Sequence, residues 1–156
     1  MSVIPIHQGL SRRRFLSLGA GCALVSLLPV SALATEEEME SAVKELFGDR
    51  PLEKGGVSID IPPLAENGYS VPLTIDVDSP MTEADHVTRI AVFSPRNPLP
   101  EIIQFKLGPR AGLARVSTRI RLAGSQTILV VAEMSDGTLR SASAETMVTV
   151  AACVIG

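Results

Sequence analysis

Two cysteines and two histidines are the only thiols and imidazoles in this 156-residue chain. Cys153 stands three residues from the end, in Val148-Thr149-Val150-Ala151-Ala152-Cys153-Val154-Ile155-Gly156. A thiol at a chain terminus can move and can enter another protein's cleft. At neutrality a few per cent of an ordinary thiol, titrating near pH ~8.5, is the nucleophilic thiolate. If the last strand ends near Val150, three extended residues give Cys153 about 10 Å of reach. The plainer reading is a small buried hydrophobe. Two Cys and two His cannot build a four-ligand zinc site without carboxylates. His86 lies in the polar stretch Met81-Thr82-Glu83-Ala84-Asp85-His86. A hydrolytic Cys153–His86 pair, or a metal role with Glu83 and Asp85, finds no support in the spacing, and a solvated loop imidazole is the simpler assignment. Arg115, Arg119 and Arg121 alternate along one stretch and could meet an anion or an acidic partner; the plainer reading is the exposed face of a half-buried strand.

The second cysteine belongs to a different kind of segment. Ser11-Arg12-Arg13-Arg14-Phe15-Leu16 fits the twin-arginine export form, an uncharged run extends from Phe15 to Val30, and Ser31-Ala32-Leu33-Ala34 offers an A-x-A cleavage site. The run is short for a membrane span and is interrupted by Pro29. Residues 1–34 therefore read as a removable signal peptide carrying Cys22, and residues 35–156 as one exported domain. Three of the 14 Lys and Arg leave with the leader and none of the 17 acids does, so the remaining 122 residues carry a net charge of −6. That balance argues against nonspecific binding to nucleic acid or to an anionic membrane. It also leaves Cys153 as an odd cysteine in an oxidising compartment, which points to an intermolecular bond or a reactive thiol.

The elements that must position these residues are legible in the patterning. Thr35 and Glu38 have capping-box spacing, three glutamates suit the first turn of a helix, and Met39, Val43, Leu46 and Phe47 form one apolar stripe ending before Gly48. After Pro51 the period changes to two. Strands are expected at Val57–Ile61, Val71–Val77, Val87–Ser94, Glu101–Leu107, Ala114–Leu122, Thr127–Met134 and Thr138 to about Val150. Asn67-Gly68 and Asp136-Gly137 signal tight turns, and Pro72 suggests an edge strand or a bulge. About seven short strands with regular punctuation predict an all-β fold: an immunoglobulin-like antiparallel β-sandwich with a short N-terminal helix. The immunoglobulin disulfide and buried Trp are absent, so that likeness is one of architecture. No nucleotide fingerprint, phosphate loop or paired-carboxylate motif is present.

Several stretches, in order, resemble the SoxY family of the bacterial sulfur-oxidation (Sox) system. They are Ile61-Pro62-Pro63-Leu64-Ala65-Glu66-Asn67-Gly68, Pro80-Met81-Thr82-Glu83-Ala84-Asp85-His86-Val87, Asn97-Pro98, Ser117-Thr118-Arg119-Ile120-Arg121-Leu122-Ala123 and Val131-Ala132-Glu133-Met134-Ser135-Asp136-Gly137, behind a twin-arginine signal and a helix. The resemblance implies a periplasmic covalent carrier and not an enzyme, needing no cofactor of its own. It implies that a cysteine near the C-terminus, here Cys153, is conjugated to thiosulfate by a haem-containing enzyme. A sulfate-releasing hydrolase and a sulfane dehydrogenase would then process the cargo in place, and SoxZ would be the heterodimer partner. The tail departs from the family's G-G-C-G-G, since alanines precede Cys153 and the β-branched Val154 and Ile155 follow it. The alternative reading is a noncatalytic β-sandwich binding or assembly module, whose Cys153 is structural or forms an intermolecular disulfide.

Overall fold

The computed structural model describes residues 34–152. The leader up to residue 33, with its twin-arginine stretch and Cys22, and the tail from Cys153 onward lie outside the described residues.

Thr35 begins the chain's one described α-helix, α1 (Glu36–Phe47). Its hydroxyl accepts from the Glu38 N–H at 3.2 Å, and its own N–H donates to the Glu38 carboxylate at 2.9 Å, the reciprocal box expected from the spacing. Gly48 ends the helix with φ +76°, and its N–H donates to the Lys44 carbonyl. Thr35→Ala removes one side of the box, and we expect a loss of about 1 kcal/mol of stability. Urea denaturation of the two proteins checks it.

Among the described residues nine strands follow: β1 (Leu52–Lys54), β2 (Val57–Asp60), β3 (Leu64–Asn67), β4 (Val71–Val77), β5 (Val87–Phe93), β6 (Glu101–Lys106), β7 (Arg115–Ile120), β8 (Gln126–Met134) and β9 (Leu139–Val150). They make two sheets. The larger has the order β1-β9-β8-β5-β6, with β3 also paired to β9; the smaller has the order β2-β4-β7. Alternation assigns the faces. Val71, Leu73, Ile75 and Val77 of β4 meet Ile90 and Val92 of β5 and Ile128, Val130 and Ala132 of β8 in the aliphatic core between the sheets. The other face of the larger sheet offers Ala91, Phe93, Val131 and Leu139, and the Val43–Phe47 stripe of α1 covers them.

All seven expected strands are present, together with two that the pattern did not announce. Leu52-Glu53-Lys54 and Leu64-Ala65-Glu66-Asn67 have no apolar alternation. They are strands because β9, 12 residues long, has β8 on one side and offers its other side for pairing. Both pair parallel to it, Leu52 opposite Leu139 and Leu64 opposite Met147, so the sandwich is not wholly antiparallel. Pro72 also departs from expectation. It lies in the middle strand of the smaller sheet, in unbroken register with Arg119 of β7. β2 pairs β4 only from Thr74 to Val77, so a missing N–H on the β2 side at Pro72 breaks no ladder bond. At the far end of β8 and β9, Asp136-Gly137 makes the expected hairpin. Thr138 donates from its N–H and hydroxyl to the Asp136 carboxylate at 2.9 and 2.8 Å, and the N–H bond first of all holds that carboxyl below its ordinary pKa.

Candidate functional site

Cys153 itself lies outside the described residues, and its point of attachment is Ala152. β9 ends at Val150, as the sequence suggests, but the chain is not released there. The Val150 carbonyl accepts from the Gly68 N–H at 2.8 Å, and the Ala152 N–H donates to the Leu122 carbonyl at 3.1 Å. Ala152 is buried. The expected three-residue free arm before the thiol is therefore corrected. Val150 and Ala152 are both bonded to the body, with the exposed Ala151 between them.

Three segments distant in sequence make this base. Gly68 follows β3, Leu122 follows β7, and Ala152 follows β9. The Leu122 N–H donates to the Gly68 carbonyl at 2.9 Å, so Gly68 and Ala152 are both tied to Leu122. A side chain at Gly68 would overlap the Leu122 oxygen and come within 2.8 Å of the Ala152 nitrogen. Asn67-Gly68 does turn the chain, with the Asn67 side-chain oxygen accepting from the Tyr69 N–H at 2.8 Å. The glycine is required by this close crossing of backbones and not by a left-handed φ.

Leu122 is in turn held from behind. The buried Asn97 donates from Nδ2 to the Arg121 carbonyl at 2.8 Å and accepts at Oδ1 from the Ala123 N–H at 3.0 Å. The Asn97 N–H donates to Ser94 Oγ at 3.0 Å, the Ser94 hydroxyl donates to Gln126 Oε1, and Gln126 Nε2 donates to the Gly124 carbonyl at 3.2 Å. The Asn97 carbonyl accepts from the N–H of Ala34, the residue just ahead of the expected cleavage point. Among the described residues no buried side-chain nitrogen or oxygen is left without a partner, so this polar cluster carries little of the penalty that unsatisfied buried groups incur.

The arginine face is placed as the alternation predicts, and much of it braces the sheet. Arg115 donates from Nε to Asp76 of β4 at 2.6 Å, and Arg119 donates to the Ser70 carbonyl at 3.1 Å; Arg121 is exposed. The Arg115–Asp76 pair is largely solvated and worth less than about 1 kcal/mol. His86 sits elsewhere. Its N–H donates to Ser135 Oγ at 3.1 Å and its carbonyl accepts from the Ser135 N–H at 2.8 Å, beside the β8–β9 hairpin. β9 runs from that hairpin to Val150, roughly 35 Å at the usual rise per strand residue. β9 thus separates His86 from Ala152, the residue that precedes Cys153. Among the described residues no three His, Cys, Asp or Glu stand together as a metal site would need.

Sequence reasoning singled out Cys153 and missed what fixes Ala152, the residue before it. Gly68 read as a turn residue, Asn97 as part of a proline-rich loop and Leu122 as the end of a strand. Their convergence depends on long-range pairing, and no local signal announces it.

A family model described as "Sulfur oxidation protein SoxY" matches residues 43–153. The chain is similar to the solved sulfur carrier protein SoxY from Chlorobium limicola f thiosulfatophilum, at 31% identity and TM-score 0.62, over 73% of this chain and 98% of that one. It is also similar to a superoxide reductase (neelaredoxin) from Ignicoccus hospitalis, at 17% identity and TM-score 0.54, over 75% and 95% of the two chains. A putative superoxide reductase from Thermotoga maritima matches at 19% identity and TM-score 0.50, over 78% and 98%. At those identities the two reductases share the fold alone. None of the curated proteins matches the chain.

Proposed function

The chain belongs to the SoxY family of sulfur oxidation proteins, and from that membership we propose that it carries thiosulfate-derived sulfur covalently on Cys153, in the periplasm and paired with SoxZ. One observation carries the reading: the family match runs from residue 43 to Cys153 itself. Cys153 is thus the last residue that the family model matches, and it follows directly on Ala152, the last described residue, whose N–H is bonded to the folded body. The mature domain contributes a scaffold and a nucleophile.

Loading joins the Cys153 sulfur to the outer sulfur of thiosulfate. The thiol gives up one proton, and two electrons pass to the haem-containing conjugating enzyme, leaving a Cys-S-S-sulfonate. Hydrolysis then breaks the bond to the sulfonate, releases sulfate and leaves one sulfane sulfur on the cysteine for a sulfane dehydrogenase to oxidise. The partner enzymes supply the acids, bases and redox centres. This chain supplies the sulfur atom and the place where it is offered.

A SoxZ partnership is supported by the lopsided sandwich. Six strands face three, and at the edge strand β6 the side chains of Ile102, Ile103 and Phe105 are only partly buried. A stable pair needs about 1,200–2,000 Å² of total buried surface.

The test is intact mass. Incubating the mature protein with thiosulfate and the conjugating haem protein should add one thiosulfate unit to the C-terminal peptide, reversibly with reductant. An unmodified peptide, under conditions where the haem protein loads another SoxY, overturns the reading. A reducible dimer in its place supports an assembly module.

A further inference from the structure

We infer that Asn97 is a positioning residue for the carrier thiol, acting through the Leu122 peptide to pin the chain at Ala152. Its use in sulfur delivery rests on the carrier reading above; the pinning itself does not.

The inference comes from what the Asn97 amide does. It binds the Arg121 carbonyl and the Ala123 N–H, the groups on either side of Leu122. Leu122 is left with its own N–H and C=O, and these hold Gly68 and Ala152. A side chain that brackets one residue in this way needs a donor and an acceptor in fixed relation, which an amide provides and a hydroxyl or carboxylate does not. Burial of Asn97, and its backbone bond to Ser94, keep the amide from turning away to solvent. None of these bonds belongs to a strand ladder, and the chain they aim at is the two-residue lead to Cys153.

The pin limits where the thiol can go. Fixed at Ala152, the Cys153 Cα lies about 3.8 Å from its anchor. With Ala152 free and Val150 the last fixed residue, the radius grows to about 10 Å and the volume searched by on the order of 20-fold. Asn97 therefore keeps Ala152, the attachment point of Cys153, at one end of the sandwich, where a processing enzyme meets it together with the body.

Amide hydrogen exchange on the mature, full-length protein tests this. In the wild type the Ala152 amide should exchange at least 10-fold slower than an unprotected amide. In Asn97→Ala that protection should vanish, while Val130 and Val131 in β8 keep theirs. Gly68→Ala, which forces Leu122 and Ala152 apart without touching Asn97, should give the same local loss. A wild-type Ala152 amide that exchanges freely overturns the inference, as does one that stays protected in both variants. Failure of thiosulfate loading would sink the carrier reading and leave this result standing. Where loading works, Asn97→Ala should raise the KM of the conjugating enzyme for the carrier, with kcat little changed.

Discussion

On the carrier reading proposed above, changing Cys153 to Ser is expected to abolish loading with thiosulfate-derived sulfur and to leave the folded domain as stable as before. Serine places an oxygen where the sulfur was, and a hydroxyl cannot form the sulfur–sulfur bond that holds the cargo. Cys22 cannot substitute for it once the leader is removed, because Cys153 is then the only cysteine in the chain. The described hydrogen bonds end at Ala152, one residue earlier, so the exchange removes none of them. A one-atom change that breaks none of the described bonds is expected to stay within about 0.5 kcal/mol, so the melting temperature should move by no more than about 3 °C. Intact mass and calorimetry read the two halves of the result. An adduct on the Cys153→Ser variant would mean that the cargo sits on another group. A wild-type thiol that alkylates only after denaturation would mean that it is structural.

Phe93→Ala is expected to have the largest effect on stability, about 3–5 kcal/mol. Phe93 is fully buried at the end of β5, on the face of the larger sheet that α1 covers. Its ring meets that of Phe47 edge-on, centroids 6.3 Å apart and planes at 66°. Arg89 places its guanidinium 5.6 Å from the Phe47 centroid on the same face, and its Nε lies 3.4 Å from the Glu133 carboxylate. The described residues hold few aromatics, and this pair is the main bulk between helix and sheet, so truncation leaves a cavity that Val43 and Leu139 are too small to fill. Typical domains have about 5–15 kcal/mol in all, and a loss of this size lowers the melting temperature by on the order of 10–20 °C. Urea denaturation measures it directly; a loss below about 1 kcal/mol, the ordinary size of a point-mutant effect, would show that helix docking contributes little to the fold.

Local chemistry made α1 and the longer strands readable in the sequence. Thr35, Glu38 and Gly48 sit within one helix and its caps, and the alternation along Arg115–Ile120 sits within one strand, so each pattern reports its own element. β1 and β3 escaped because their reason to exist is β9, which lies far along the chain from both. Cys153 stands out in the sequence for the opposite reason, since a cysteine three residues from the end is a fact of composition. The anchoring of the residue before it was not legible, because the bond responsible joins Ala152 to Leu122, two elements further back in the chain. His86 shows the same limit: the sequence reads it as a loop imidazole, and only the structure ties its backbone to Ser135 beside the β8–β9 hairpin.

Asn97 also fixes the choice of where to attach anything artificial to this protein. Its carbonyl receives Ala34 and its amide secures the peptide that receives Ala152, so the first and last described residues are gathered at one pole. An affinity handle or reporter joined just before Ala34 or just after Ala152 therefore enters at that pole. The hairpin at Asp136-Gly137 lies at the other end of β9, so a label inserted there stays away from it.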